Sequence, residues 1–119
     1  LTERLVGTNV VIVEGDARML EFEANRFTSA TAFSVLHHVP SRREQDEVLS
    51  EVLRVLAPGA ALFATDARDL ENIRQAHDDD TFVPLPVGDL TERLERLGYK
   101  DITLDVAAYE IRFSARKPR

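Results

Sequence analysis

The stretch from Ser41 to about Ala57 constrains this chain most, because both its ends and its buried face can be read from the residues. Ser41 and Glu44 make an S-x-x-E capping box, whose side chains satisfy free backbone N–H groups at a helix start. Val48, Leu49, Val52, Leu53 and Leu56 then recur at three- and four-residue spacing and give the helix one apolar face. Pro58-Gly59 punctuates its end. Before it, Phe27 to Phe33 is a run of small and apolar residues that predicts a strand, and after it Ala60 to Thr65 predicts a buried one. Two strands joined through a helix are expected to lie parallel, since a parallel pair needs a long crossover.

The flanking elements are read in the same way. Leu1 to Leu5 predicts the end of a helix closed by Gly7, and Val10 to Val13 a short strand buried on both faces. Gly15-Asp16 ends that strand, and a polar connection runs to Arg26. Leu36 to Pro40 is expected as a loop, Asp69 to His77 as a short helix, and Pro84-Leu85-Pro86 as irregular. Asp89 and Glu92 repeat the capping pattern ahead of a helix carrying Leu90, Leu94 and Leu97, which Gly98 ends. Finally Ile102, Leu104 and Val106, then Tyr109, Ile111, Phe113 and Ala115, alternate with period two and predict an antiparallel hairpin. Leu-Thr-Glu-Arg-Leu occurs at Leu1 and again at Leu90, with no similarity beyond five residues.

Composition excludes several function classes. A net charge of -6 over 119 residues argues against a broad grip on nucleic acid or anionic lipid, which needs clustered Lys and Arg. With no cysteine there is no disulfide, thiolate metal site or cysteine nucleophile. No apolar run approaches the roughly 20 residues of a membrane span, so a cytoplasmic protein of one domain is expected.

Three stretches resemble one family. Val13-Glu14-Gly15-Asp16-Ala17-Arg18-Met19-Leu20 is similar to the "G-D-A-x-x-L" that follows the third strand of class I, Rossmann-like, S-adenosylmethionine-dependent methyltransferases of the ubiquinone/menaquinone-biosynthesis-like group. Ser34-Val35-Leu36-His37-His38-Val39 resembles the "x-x-L-H-H-V" after their fourth strand. Leu53-Arg54-Val55-Leu56-Ala57-Pro58-Gly59-Ala60 resembles the "L-R-V-L-K-P-G-G" that joins helix to fifth strand. Order and spacing match from Val10 to Pro118, and Leu97-Gly98-Tyr99 with the hairpin resembles the family's C-terminus. The resemblance implies an α/β fold: residues 1–119 as one C-terminal portion of a methyltransferase domain, with parallel strands and helices ending in an antiparallel hairpin.

It further implies S-adenosylmethionine as cofactor, with Asp16 and Ala17 on the adenine. Ala32 and Phe33, at the end of the fourth strand, would lie beside the methionine and sulfonium part, and a small molecule would accept the methyl group. Each position also has a plainer reading. Gly15-Asp16 is a turn pair by composition, and Ala32 and Phe33 suit core packing. His37 and His38 fit backbone-bonded loop histidines as well as a general base, and Asp66 fits a cap as well as the substrate cleft. Asp78-Asp79-Asp80 lacks the alternating spacing of a calcium loop and is expected to be solvated. No residue stands out as the catalytic base, and no metal site is expected.

The departures from the family pattern carry their own expectations. Phe27-Thr28 stands where the family has Phe-Asp, and Ala60 follows Pro58-Gly59 in place of a second glycine. The five glycines, at 7, 15, 59, 88 and 98, include no G-x-G-x-G turn, and the acidic residue that would hold the ribose has no counterpart. The family sheet runs 3-2-1-4-5-7-6, so this portion lacks the first two strands and leaves strand four with a free edge. Strand three is expected either to pair directly with it or to leave an apolar edge through which two chains associate. The functional expectation is methyl transfer as part of a larger domain, with this chain inactive by itself. The alternatives are a non-catalytic methyltransferase-like interaction module and, less consistent with the Leu-His-His-Val loop and terminal hairpin, a nucleotide-dependent oxidoreductase.

Overall fold

A computed structural model describes residues 2–4, 7, 11–13, 15–70 and 82–119. Strands β1 (Thr2–Arg4) and β2 (Val11–Val13) pair antiparallel as a small sheet of their own. Strand β3 (Phe27–Phe33), helix α1 (Arg42–Val55) and strand β4 (Leu56–Ala67) form the crossover unit. Helix α2 (Leu90–Leu97) leads into the hairpin of β5 (Lys100–Val106) and β6 (Glu110–Arg116). The main sheet has the order β3-β4-β6-β5, with β3 parallel to β4 and both other pairings antiparallel.

That order reproduces the 4-5-7-6 half of the expected sheet. The parallel crossover arises where α1 was expected, with Ser41 Oγ accepting the Glu44 N–H at 3.1 Å. The box closes through the Ser41 hydroxyl, which donates to the Glu44 carboxylate at 3.3 Å. Helices α1 and α2 cover one sheet face. Val48, Leu49, Leu90 and Leu94 pack there with Leu62, Ala64, Ile111 and Phe113, all nearly solvent-free. Burying such side chains contributes roughly 1.5–3 kcal/mol each, which makes this face the main source of stability.

Three expectations are corrected, and of the two alternatives for the strand at Val11–Val13 direct pairing falls away among the described residues. Residues 2–4 are strand, because the β-branched run Val11-Ile12-Val13 offers them a partner that local helix composition cannot outweigh. Strand β2 belongs to that separate sheet and does not pair with β3. Pro58-Gly59 lies inside β4, the helix having ended at Val55. Register jumps from Phe27 opposite Leu56 to Ser29 opposite Ala61, leaving Pro58 and Gly59 in a bulge where a missing proline N–H costs nothing. Gly59 takes φ +83° there, and its N–H donates to Lys117 O at 2.9 Å. Lastly, Asp89 makes no cap bond, because its carboxylate is held by Arg42. A 3-10 turn, Val87–Asp89, starts α2 in its place, and Gly98 closes it in the left-handed conformation at φ +111°. Residues 82–86 form no regular element, as expected; the helix expected from Asp69 to His77 falls mostly, and Asp78-Asp79-Asp80 wholly, outside the described residues.

Candidate functional site

The parallel strands β3 and β4 end side by side, and the turn after β3 is tied to the end of β4. Ser34 N–H donates to Thr65 O at 2.8 Å, continuing the ladder by one residue. The chain then winds into a 3-10 turn, Leu36–His38. Asp66, 1% exposed, anchors this turn: its carboxylate accepts the Leu36 N–H at 3.0 Å and His37 Nδ1–H at 2.5 Å. It also accepts the Ala67 N–H at 2.9 Å. A buried carboxylate is tolerated only when its oxygens are used in this way. Asp66 therefore caps, and His37 is a buried partner of it; Phe82 meets the His37 ring edge-on at 5.6 Å.

A second anchor was not read from the sequence. Gln45 is fully buried on α1, and its amide donates to Leu36 O at 3.0 Å and Val83 O at 2.7 Å. Its carbonyl accepts from Arg93 of α2 at 3.0 Å. Arg93 is 1% exposed and also binds Asp46 at 2.5 Å and Arg42 O at 2.9 Å. The available signal was position. Gln45 lies three and four residues before Val48 and Leu49, and Arg93 lies between Leu90 and Leu94, so both polar side chains fall on apolar faces.

Asp16 and Ala17 stand exposed on the turn after β2. The plain reading of Gly15-Asp16 is realised: Asp16 Oδ1 accepts the Arg18 N–H at 2.9 Å, an Asx turn, and Met19 N–H donates to Asp16 O at 2.9 Å. The Arg18 guanidinium grips the same carboxylate at 2.8 Å and Glu44 at 2.7 Å. Hydrogen bonding from the Arg18 side chain and backbone lowers the Asp16 pKa to about 2, so this carboxylate stays an ionised acceptor. The turn faces a cleft of about 260 Å³ whose walls include Asp16, Ala17, His38, Val39, Pro40 and Val48. The first two motifs thus meet across one opening, beside the carboxyl end of β3.

Ala32 and Phe33 are placed differently. Ala32 is half-buried against the core, while Phe33 is 60% exposed on the opposite sheet face with Phe63 at 46%. Neither lines the Asp16 cleft; Phe33 and Phe63 share a shallow depression with Thr103 and Ser114. A further cleft of about 400 Å³ opens off the ends of β3 and β4, between Ser34, Asp66 and Ala67 and the hairpin turn at Ala107, Ala108 and Tyr109. In open α/β sheets ligands bind at such strand ends. Among the described residues no helix is long and apolar enough to cross a membrane.

A Rossmann-like half-sheet with a cleft at its parallel strand ends defines the α/β class of the fold, and known proteins agree with it. The sequence profile of the methyltransferase domain family matches residues 1–64, more than half of the chain. The chain belongs to that family. It is 33% identical over 88 residues to (+)-O-methylkolavelool synthase of Herpetosiphon aurantiacus, a match over 74% of this chain but 29% of that protein. In three dimensions it is similar to phosphoethanolamine N-methyltransferase 2 of Haemonchus contortus, solved with S-adenosyl-L-methionine. The TM-score is 0.71 at 15% identity, over 87% of this chain and 36% of that one. A S-adenosylmethionine-dependent methyltransferase of Thermotoga maritima gives a TM-score of 0.76 at 11% identity, over 88% and 62% of the two chains. This chain therefore spans only part of the length of these relatives.

Proposed function

We propose that this chain serves S-adenosylmethionine-dependent methyl transfer to a small-molecule acceptor, in the cytoplasm, as part of a larger domain of the ubiquinone/menaquinone-biosynthesis-like group, and is inactive by itself. The observation that carries the reading is the shared cleft: Asp16 and Ala17 face His38, Val39 and Pro40 beside the carboxyl end of β3. The donor set suits an adenine. An ionised, exposed carboxylate accepts from an exocyclic amino group where the Arg18 guanidinium, which also lines the cleft, yields one of its oxygens; the Ala17 backbone N–H donates to a ring nitrogen, and Val39 and Pro40 offer apolar contact.

When bound, the cofactor supplies a methyl group on an already activated sulfonium. The chain's own contribution is then alignment, which alone accounts for large rate effects when reacting atoms are held in register. Ala32 and Phe33, at the end of β3, would stand on the methionine side of the cofactor. The cleft of Ser34, Ala67 and Tyr109 takes the acceptor, next to the rigid Asp66–His37 pair. No described residue is assigned as the base.

Titration calorimetry with S-adenosylhomocysteine tests this reading. A protein carrying the upstream sequence, with a G-x-G-x-G within roughly 40–70 residues before Leu1, the reach of one strand–helix–strand unit, is expected to bind, and residues 1–119 alone to give no heat. The absence of such a motif favours the non-catalytic interaction module; so does a protein that carries it and yet fails to bind.

A further inference from the structure

The Leu36–His38 turn is held from two sides. Asp66 takes the Leu36 N–H and the His37 side chain. Gln45 takes the Leu36 carbonyl, and Val83 N–H donates to the His37 carbonyl at 2.7 Å. The Gln45 amide also binds Val83 O, so it staples the 82–83 segment and the turn to α1 together. The last residue of this turn, His38, and the Val39 and Pro40 that follow it form one wall of the Asp16 cleft.

An amide that donates twice must point its nitrogen at the two carbonyls, and nothing in those carbonyls prevents the amide from rotating away. Arg93 supplies that constraint. It carries no acceptor, so only the Gln45 carbonyl oxygen suits the Arg93 Nη2 at 3.0 Å, and the nitrogen is forced toward Leu36 and Val83. This arrangement costs stability: burying a guanidinium and an amide is expensive, and apolar side chains at both positions would pack with Val48, Leu49, Leu90 and Leu94 as well or better. Arg93 even leaves its buried Nη1 without a hydrogen-bond partner.

We propose that Gln45, oriented by Arg93, is a positioning residue for cofactor binding: it fixes the His38–Pro40 wall before the ligand arrives. The proposal rests on the cofactor reading above, and its effect is on affinity. A wall left loose must be ordered on binding; ordering about one residue costs about tenfold in affinity, or about 1.4 kcal/mol.

The test uses the protein with its upstream sequence and two measurements on Gln45→Met, an apolar replacement of similar length. S-adenosylhomocysteine is expected to bind about tenfold more weakly by calorimetry, while the thermal midpoint falls, because Leu36 O, Val83 O and Arg93 Nη2 lose their partner. Independently of any ligand, NMR of ¹⁵N-histidine-labelled protein is expected to show a downfield His37 Nδ1 proton bonded to Asp66 in the unmodified protein, and a broadened or missing one in the variant. Equal affinity with an unchanged His37 signal overturns the proposal. If Gln45→Met does not fold, Arg93→Lys decides: it keeps the cation but loses the fork, so weakened binding supports the proposal and unchanged binding refutes it. If the unmodified protein binds no S-adenosylhomocysteine, the cofactor reading fails, and the His37 signal alone judges whether Gln45 holds the turn.

Discussion

Replacing Asp66 by alanine tests the anchor between β3 and β4 in numbers. The side chain is solvent-free and accepts three hydrogen bonds, from Leu36 N, His37 Nδ1 and Ala67 N. Leu36 and His37 are 1% and 3% exposed, so water cannot replace the lost acceptor there. Each buried donor left unpaired costs about 1–3 kcal/mol, giving roughly 2–6 kcal/mol for the pair, while the half-buried Ala67 N–H is rehydrated at little cost. That is a large share of a total stability of roughly 5–15 kcal/mol. Asp66→Asn keeps one acceptor but turns its NH₂ toward a donor, so about half the loss is expected. Urea denaturation followed by circular dichroism should show the midpoint of Asp66→Ala falling by about 1 M or more, for a slope of about 1–3 kcal/mol per M. The coupling between Asp66→Ala and His37→Ala in a double-mutant cycle should exceed about 1 kcal/mol. A loss under about 1 kcal/mol for Asp66→Ala, the size of an ordinary surface change, would refute the reasoning.

Other consequences follow from neighbouring sites. Tyr99 is buried and its hydroxyl donates to Leu49 O at 2.7 Å, so Tyr99→Phe should cost about 1 kcal/mol in thermal denaturation. Burial raises the Tyr99 pKa, so its neutral form is favoured by folding. The stability difference between wild type and Tyr99→Phe should be full below pH 10 and shrink above it. Gly98→Ala forces an L side chain to φ +111° with its Cβ 3.0 Å from Leu53 Cδ2, and should destabilise by about 1–3 kcal/mol. The Asp16 carboxyl should titrate near 2 by NMR and return toward its ordinary 3.8 in Arg18→Met, since Arg18 is the cause of the depression. Strand β3, which has no second neighbour among the described residues, is expected to drive association of two copies of this chain at high concentration, and strictly monomeric light scattering would count against that.

The crossover unit was legible because capping, periodicity and flanking apolar runs at Ser41 to Thr65 all agree. The hairpin was legible because its period-two pattern has no helical reading. Residues 1–5 misled because their composition suits a helix, and the pairing with Val11–Val13 is a tertiary fact invisible to local propensity. Pro58-Gly59 misled for a related reason: it does punctuate the chain, but whether it ends a helix or makes a bulge depends on the strand beside it. At the site, motif order brought out Asp16, Ala17 and the Leu-His-His-Val turn. It could not reveal the buried bonds of His37 to Asp66 or of Gln45 to Arg93, because these join residues 29 and 48 positions apart. Only the second pair left a hint, in the polar character of Gln45 and Arg93 on apolar helix faces.

The central claim is that Asp16 and Ala17, across from His38 to Pro40, form the adenine end of a cofactor site. A crystal structure of the protein, with its upstream sequence, bound to S-adenosylhomocysteine tests it most directly. The account predicts the adenine in that cleft, its amino group on the Asp16 carboxylate and a ring nitrogen on the Ala17 N–H. Adenine bound anywhere else, with Asp16 still held by Arg18 alone, would contradict it.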